Sequence, residues 1–190
     1  VAARRLGLFT ARVLEAETKA TLVVLDDPIA ELRQIKDADE VAAIRRATDV
    51  TERAFKTVLD RIADGVTEAE LALDLEFAMR RLGADGVAFD LIVASGAASA
   101  LPHYRPESRA VEKGDVVLFD IGARVDGYCS DITRTVFLGE PSREMRRVYD
   151  VVLAANRAGI AALRLGCSGL DADRAARDVI ERAGYGPQYT

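Results

Sequence analysis

The sequence contains no tryptophan, a single histidine (His103) and only two cysteines, Cys129 and Cys167. The cysteines form no CxxC pair, which excludes a zinc knuckle and a disulfide framework and leaves reduced thiols as the expectation. No run of about eighteen apolar residues is present, so no membrane-spanning helix and no membrane partner are expected. The N-terminus lacks the basic, apolar, small-residue order of a signal peptide, and a cytoplasmic location is the default. Basic residues are scattered among acidic ones with a formal net charge of -5, so there is no electrostatic footprint for nucleic acid. What is present is an ordinary globular composition, 49% hydrophobic and 30% charged over 190 residues, enough for one sizeable core. Small molecules, peptides or proteins are the partners left.

Along the chain, TLVVLDD (21–27) has the β-branched character of a short strand, and Pro28 with ELRQIK leads away from it. KDADEVAAIRRATDVTERAFKTVLDRIADG then reads as a long helix. Asp37 caps it with Glu40 three places on, and Val41, Ile44, Ala47, Phe55, Val58, Leu59 and Ile62 recur at helical spacing. A second helix opens with the capping box Thr67/Glu70, carries Leu71, Leu75, Met79 and Leu82, and stops at Gly83. AFDLIVASG (88–96) reads as a strand, followed by a loop holding Pro102, His103 and Pro106. Two further helices are expected from about Ser142 to Leu165 and from about Asp171 to Ala183. The order is one helix pair with its sheet, then a second helix pair whose sheet would be missing. An amphipathic pair with no sheet to cover leaves apolar faces wet, so a truncated chain is expected.

Between these elements lies VVLFDIGARVDGYCSDITRT (116–135), where Asp126-Gly127 is a strong two-residue hairpin signal. A type I′ turn there sets Val125 opposite Tyr128, Gly122 opposite Asp131 and Asp120 opposite Thr133. Side chains alternate, so Asp120, Gly122, Asp131, Thr133 and Thr135 share one face while Phe119, Ile121, Ile132 and Val136 share the other. Asp120 and Asp131 become diagonal neighbours, with glycine leaving space between them. Two carboxylates that close repel and resist desolvation, so they must share a proton, find cations or sit in water. Arg134 points to the opposite face. Spacing alone leaves two readings open, solvated strand ends or a site for divalent cations, which take oxygen ligands.

LFDIGARVDGYCSDITRT resembles the first metal-binding hairpin of the pita-bread metallopeptidases, the family of methionine aminopeptidase, Xaa-Pro aminopeptidase and Xaa-Pro dipeptidase. ELRQIKDADEVAAIRRA, SGAASALPHYRP and GLDADRAARDVIERAGYG resemble other segments of that catalytic domain, so the likeness spans roughly residues 31–190. The resemblance implies an α+β pita-bread fold, incomplete here, in residues 35–190, with 1–34 as the remnant of an N-terminal domain and linker. It implies that Asp120 chelates one metal ion, Asp131 bridges two, Thr133 supports a ligand through its hydroxyl, and His103 reaches the substrate near the scissile bond. The cofactors would be two divalent ions, manganese first, cobalt or zinc as alternatives. About 3.5–4 Å apart, they would hold a bridging hydroxide and polarise the scissile carbonyl. Further ligands of the family, a histidine from an HGxGH-like segment and two glutamates, are absent from a chain that ends at YGPQYT, so this chain by itself is expected to bind metal weakly and to be inactive. The N-terminal remnant favours the proline-specific branch: a dipeptidase or aminopeptidase whose peptide substrate has proline in second position, and a homodimer when intact.

Three rivals stand beside this reading. Asp120-Ile121-Gly122-Ala123 faintly echoes the Asp-Thr-Gly loop of aspartic proteases, but that fold is essentially all β and lacks four helices. A metal-free pita-bread relative acting as a peptide or protein platform is opposed by the presence of both Asp120 and Asp131. Creatinase-type amidinohydrolysis on the same fold is left open.

Overall fold

A computed structural model describes residues 8–18 and 28–189. The order is α1 (Leu8–Glu17), α2 (Pro28–Gln34), α3 (Ala38–Leu59), α4 (Glu68–Arg81), β1 (Gly86–Val87), β2 (Ile92–Ser95), β3 (Val116–Ile121), β4 (Ala123–Val125), β5 (Tyr128–Cys129), β6 (Ile132–Phe137), α5 (Arg143–Ala162) and α6 (Gly169–Arg182). Short 3-10 turns lie at Gly96–Ala100 and Gly186–Gln188. The sequence reading anticipates neither α1 nor α2, and the TLVVLDD run lies outside the described residues. Among the described residues no helix is long and apolar enough to cross a membrane.

Both predicted capping boxes form. Asp37 Oδ1 accepts the Asp39 and Glu40 amides at 2.9 Å, and Glu40 Oε2 accepts the Asp37 amide at 2.8 Å. Thr67 and Glu70 repeat the arrangement at the start of α4. Each box satisfies donors that the first helical turn would otherwise leave orphaned. A third box, Ser168 with Asp171, starts α6 slightly earlier than the sequence suggests.

The buried stripe of α3 is Ala43, Ala47, Val50, Thr51, Ala54 and Val58. Val41 and Leu59, expected on that stripe, are each 38% exposed. Ala47 and Val58 are buried as expected, and Phe55 and Ile62 pack against the core. Helical spacing reveals the stripe, while its exact centre is set by packing, and the alanines let α3 lie close against the sheet. On α4, Leu71, Leu75 and Met79 are wholly buried as expected. They meet Val93, Val117, Phe119 and Ile121 of the strands in a single core, with Phe55 edge-on to Phe119 at a centroid distance of 5.3 Å. Each such side chain withdrawn from water contributes roughly 1.5–3 kcal/mol.

Among the described residues all strand pairing is antiparallel, in two three-stranded sheets ordered β2-β3-β6 and β1-β4-β5. The run read as one strand over 88–96 is shorter: Ile92–Ser95 pairs with Asp120–Val117, whereas Gly86 and Val87 pair with Arg124 and Ala123 of the other sheet. Residues 88–91 carry the chain from one sheet to the other. α5 and α6 pack on each other, with Ala155 and Ile180 buried, and Tyr149 of α5 stacks edge-on against Phe137 of β6 at 5.6 Å.

Candidate active site

The site begins with a turn. Asp126 and Gly127 both have positive φ, 52° and 78°, as a type I′ turn requires, and Val125 pairs with Tyr128. The same register continues through Arg124–Cys129 to Ile121–Ile132 and Asp120–Thr133, although the ladder is interrupted between them. Parity therefore survives the interruption, and the hairpin contributes to both sheets.

Gly122 lies at the break, and the structure assigns it a different reason from the one spacing suggests. A Cβ there would overlap the carbonyl oxygen of Ser130 and sit 2.9 Å from Phe89 Cε1 and 3.0 Å from Ala88 Cβ. The residue permits a close backbone approach rather than leaving room for an ion. The kink is held from beneath by two buried hydroxyls. Thr51 Oγ1 and Ser130 Oγ lie 2.8 Å apart, and the Ala123 amide donates to them at 2.9 and 3.0 Å. Ser130 precedes Asp131, so this anchorage sets where Asp131 leaves the strand.

Asp120 is half-buried and Asp131 exposed. The Thr133 hydroxyl donates to Asp120 Oδ1 at 3.1 Å, the pairing expected from the register. Burial pushes the Asp120 carboxyl above the usual carboxylate range; the Thr133 hydrogen bond pulls it back, and the charge and hydrogen bonding of Asp131 add to the push. The two carboxylates thus sense each other across the face. Arg134, on the other face, pairs with Glu52 at 3.4 Å and gives them no counter-charge.

Asp120 and Asp131 line a cleft of about 430 Å³ with Phe89, Asp90, Ile92, His103, Tyr104 and Arg105. His103 is exposed, on the loop after the 3-10 turn, with φ of 58°. The fold therefore brings His103, Asp120, Asp131 and Thr133 to one place from positions up to thirty residues apart in sequence. Cys129 lies beyond the break in the second sheet, paired with Arg124.

Two like-charged carboxylates, one raised by burial and by the other, are the donor chemistry that a hard divalent cation relieves. Among the described residues no group of three or more His, Cys, Asp or Glu side chains is gathered so as to hold a metal, so the pair fits one side of a ligand set.

Sequence reasoning missed Glu68. It looks like an ordinary first-turn acid of α4 but is wholly buried, accepting from Ser95, Tyr104 and Glu107. Thr51 and Ser130 were missed as well, being 79 positions apart with no local signal.

Comparison with known proteins bears on this geometry. The model of Metallopeptidase family M24 matches residues 42–190. The chain is 38% identical over 165 residues to a Xaa-Pro dipeptidase of Pyrococcus furiosus, covering 87% of this chain and 47% of that protein. Among solved structures, the Xaa-Pro dipeptidase of Bacillus anthracis superposes with a TM-score of 0.94 at 38% identity, over 98% of this chain and 52% of that one. The X-Pro aminopeptidase of Thermotoga maritima gives 0.91 at 41% identity, over 97% and 52%. The chain spans about half the length of the curated relatives it matches.

Proposed function

The chain belongs to metallopeptidase family M24, with the pita-bread arrangement of helices and sheet, and from that premise we propose that its protein hydrolyses Xaa-Pro peptide bonds. The observation that carries the reading is the convergence of Asp120, Asp131 and His103 on one cleft, through a hairpin register that the Asp-Gly turn sets. Asp120 would hold one divalent ion and Asp131 would bridge two, as part of a larger ligand set; manganese is proposed, with cobalt or zinc as alternatives. When bound, such ions lower the pKa of the attacking water and polarise the scissile carbonyl.

The chain's own residues do the rest. The Thr133 hydroxyl, 3.1 Å from Asp120 Oδ1, holds that carboxylate in one orientation and occupies one of its lone pairs. His103, exposed on the cleft loop, donates to the carbonyl oxygen of the peptide as charge develops there. Phe89 and Ile92 supply apolar surface beside the carboxylates, where water is displaced as a peptide enters.

The test is hydrolysis of Xaa-Pro dipeptides and of longer Xaa-Pro peptides by the full-length protein, before and after chelation, with Asp131→Asn alongside. Activity that depends on added divalent ions and is lost in Asp131→Asn supports the reading. Turnover that survives exhaustive chelation refutes it, and binding of the same peptides without cleavage replaces it with a peptide-binding module. Relative rates on the two substrate lengths separate dipeptidase from aminopeptidase.

A further inference from the structure

His103 lies on a loop, but the residues after it are tied down. The Tyr104 hydroxyl donates to Glu68 Oε2 at 2.7 Å, and the Glu107 amide donates to the same oxygen at 3.3 Å. Glu68 Oε1 accepts the Ser95 amide at 2.7 Å and the Ser95 hydroxyl at 2.6 Å. Arg109, further along the loop, donates to Ser95 Oγ and to Asp115 Oδ2, the latter at 2.8 Å. Ser95 Oγ thus accepts from Arg109 and directs its own proton to Glu68.

Glu68 is the first residue of α4, where the free amides of the helix start favour a carboxylate. Two of those amides are also taken by the loop, since Glu68 N donates to Arg109 O at 3.1 Å and Ala69 N to Glu107 O at 3.0 Å. The four donors to the one buried carboxylate come from two places that matter to the cleft. Ser95 ends β2, whose Ile92 pairs with Asp120, and Tyr104 directly follows His103.

We propose that Glu68 is a positioning residue for His103: its buried carboxylate, bonded to Ser95 and Tyr104, fixes the His103 imidazole in the cleft with Asp120 and Asp131. It does not itself line that cleft. The inference rests on the proposed role of His103 in the reaction, but its geometric part can be read without turnover. The hydrogen bond from Tyr104 also leaves a mark, pushing that phenol up to about 12.

Glu68→Gln is the discriminating variant because it keeps the shape and removes an acceptor. Each carboxylate oxygen receives one backbone N–H, so whichever way the amide lies, its NH2 faces a backbone donor that cannot turn away. His103 is the only histidine in these 190 residues, and in the full-length protein its imidazole signals are identified as the ones that His103→Ala removes.

The expected result in Glu68→Gln is displaced or split His103 imidazole resonances and a Tyr104 ionisation moved down. In the full-length protein kcat should fall roughly 10–100-fold with KM nearly unchanged, as for a misplaced catalytic group. A folded Glu68→Gln protein with unmoved His103 resonances, or with unchanged kcat, overturns the proposal. Should that variant fail to fold, Ser95→Ala decides by the same readouts, because it removes the hydroxyl bond and retains the backbone one. His103→Ala separates the two readings: full activity there refutes the role of His103, while unmoved resonances in Glu68→Gln refute the role of Glu68.

Discussion

Replacing Gly122 by alanine tests the hairpin break at its tightest point. The new methyl group would overlap the Ser130 carbonyl oxygen, a backbone atom, and would press on Phe89 Cε1 at 2.9 Å and Ala88 Cβ at 3.0 Å. A side chain could rotate away, but the Ser130 carbonyl moves only if the two strands part. Overpacking of this kind costs about 1–3 kcal/mol. Parting the strands also pulls the Ala123 amide from the hydroxyls of Thr51 and Ser130 in a dry site, a further ~1–3 kcal/mol. The expected loss of about 2–6 kcal/mol is a large share of a typical stability of ~5–15 kcal/mol. It corresponds to a fall in Tm of roughly 5–20 °C for a chain of this size.

Gly127→Ala is the control, because a Cβ there meets nothing within 4 Å and bears only the cost of its left-handed backbone, about 1–2 kcal/mol. Thermal and urea unfolding followed by circular dichroism compares the two, and divalent-ion titration of folded Gly122→Ala shows whether Asp131 has moved with Ser130. A Gly122→Ala protein no less stable than Gly127→Ala would refute the close-approach argument.

Three other outcomes follow from the same geometry. Burial raises Asp120 in the folded chain, so its contribution to stability is fully present below the unfolded-state pKa and is lost as pH rises through the folded-state value. Metal-free Asp120→Asn should therefore lose less stability than wild type in urea titrations as pH rises from below the usual carboxylate range towards neutrality, and an identical pH profile would contradict it. In the full-length protein His103→Ala should lower kcat roughly 10²–10³-fold with a smaller effect on KM, and a loss below about threefold would remove His103 from the reaction. Thr133→Val should weaken divalent-ion affinity about 10-fold or more by freeing the Asp120 carboxylate, read by calorimetry; unchanged affinity would show that the 3.1 Å bond has no bearing on the site.

The parts legible in the sequence share one property: their physics is complete within a few residues. Asp37 with Glu40, Thr67 with Glu70 and Asp126 with Gly127 form the caps and turn expected of them, because each interaction spans three positions or fewer. The strand alternation that places Asp120 and Thr133 on one face is equally local once the turn sets the parity, and the observed register agrees. The buried stripe of α3 shares Ala47 and Val58 with the expected one but is turned away from Val41 and Leu59, since periodicity constrains a spacing and not the exact centre of the face that meets the sheet.

By itself the sequence determined the starts of α3, α4 and α5 and the hairpin register, because backbone geometry near a cap or turn depends on nearest neighbours. Only the tertiary structure decided the division of the hairpin between two sheets, the Thr51–Ser130 anchorage and the burial of Glu68 beneath the His103 loop. Those depend on which surfaces meet across 27 to 79 positions of chain. An acidic residue after a helix cap reads the same whether it faces water or four buried donors, and packing settles which.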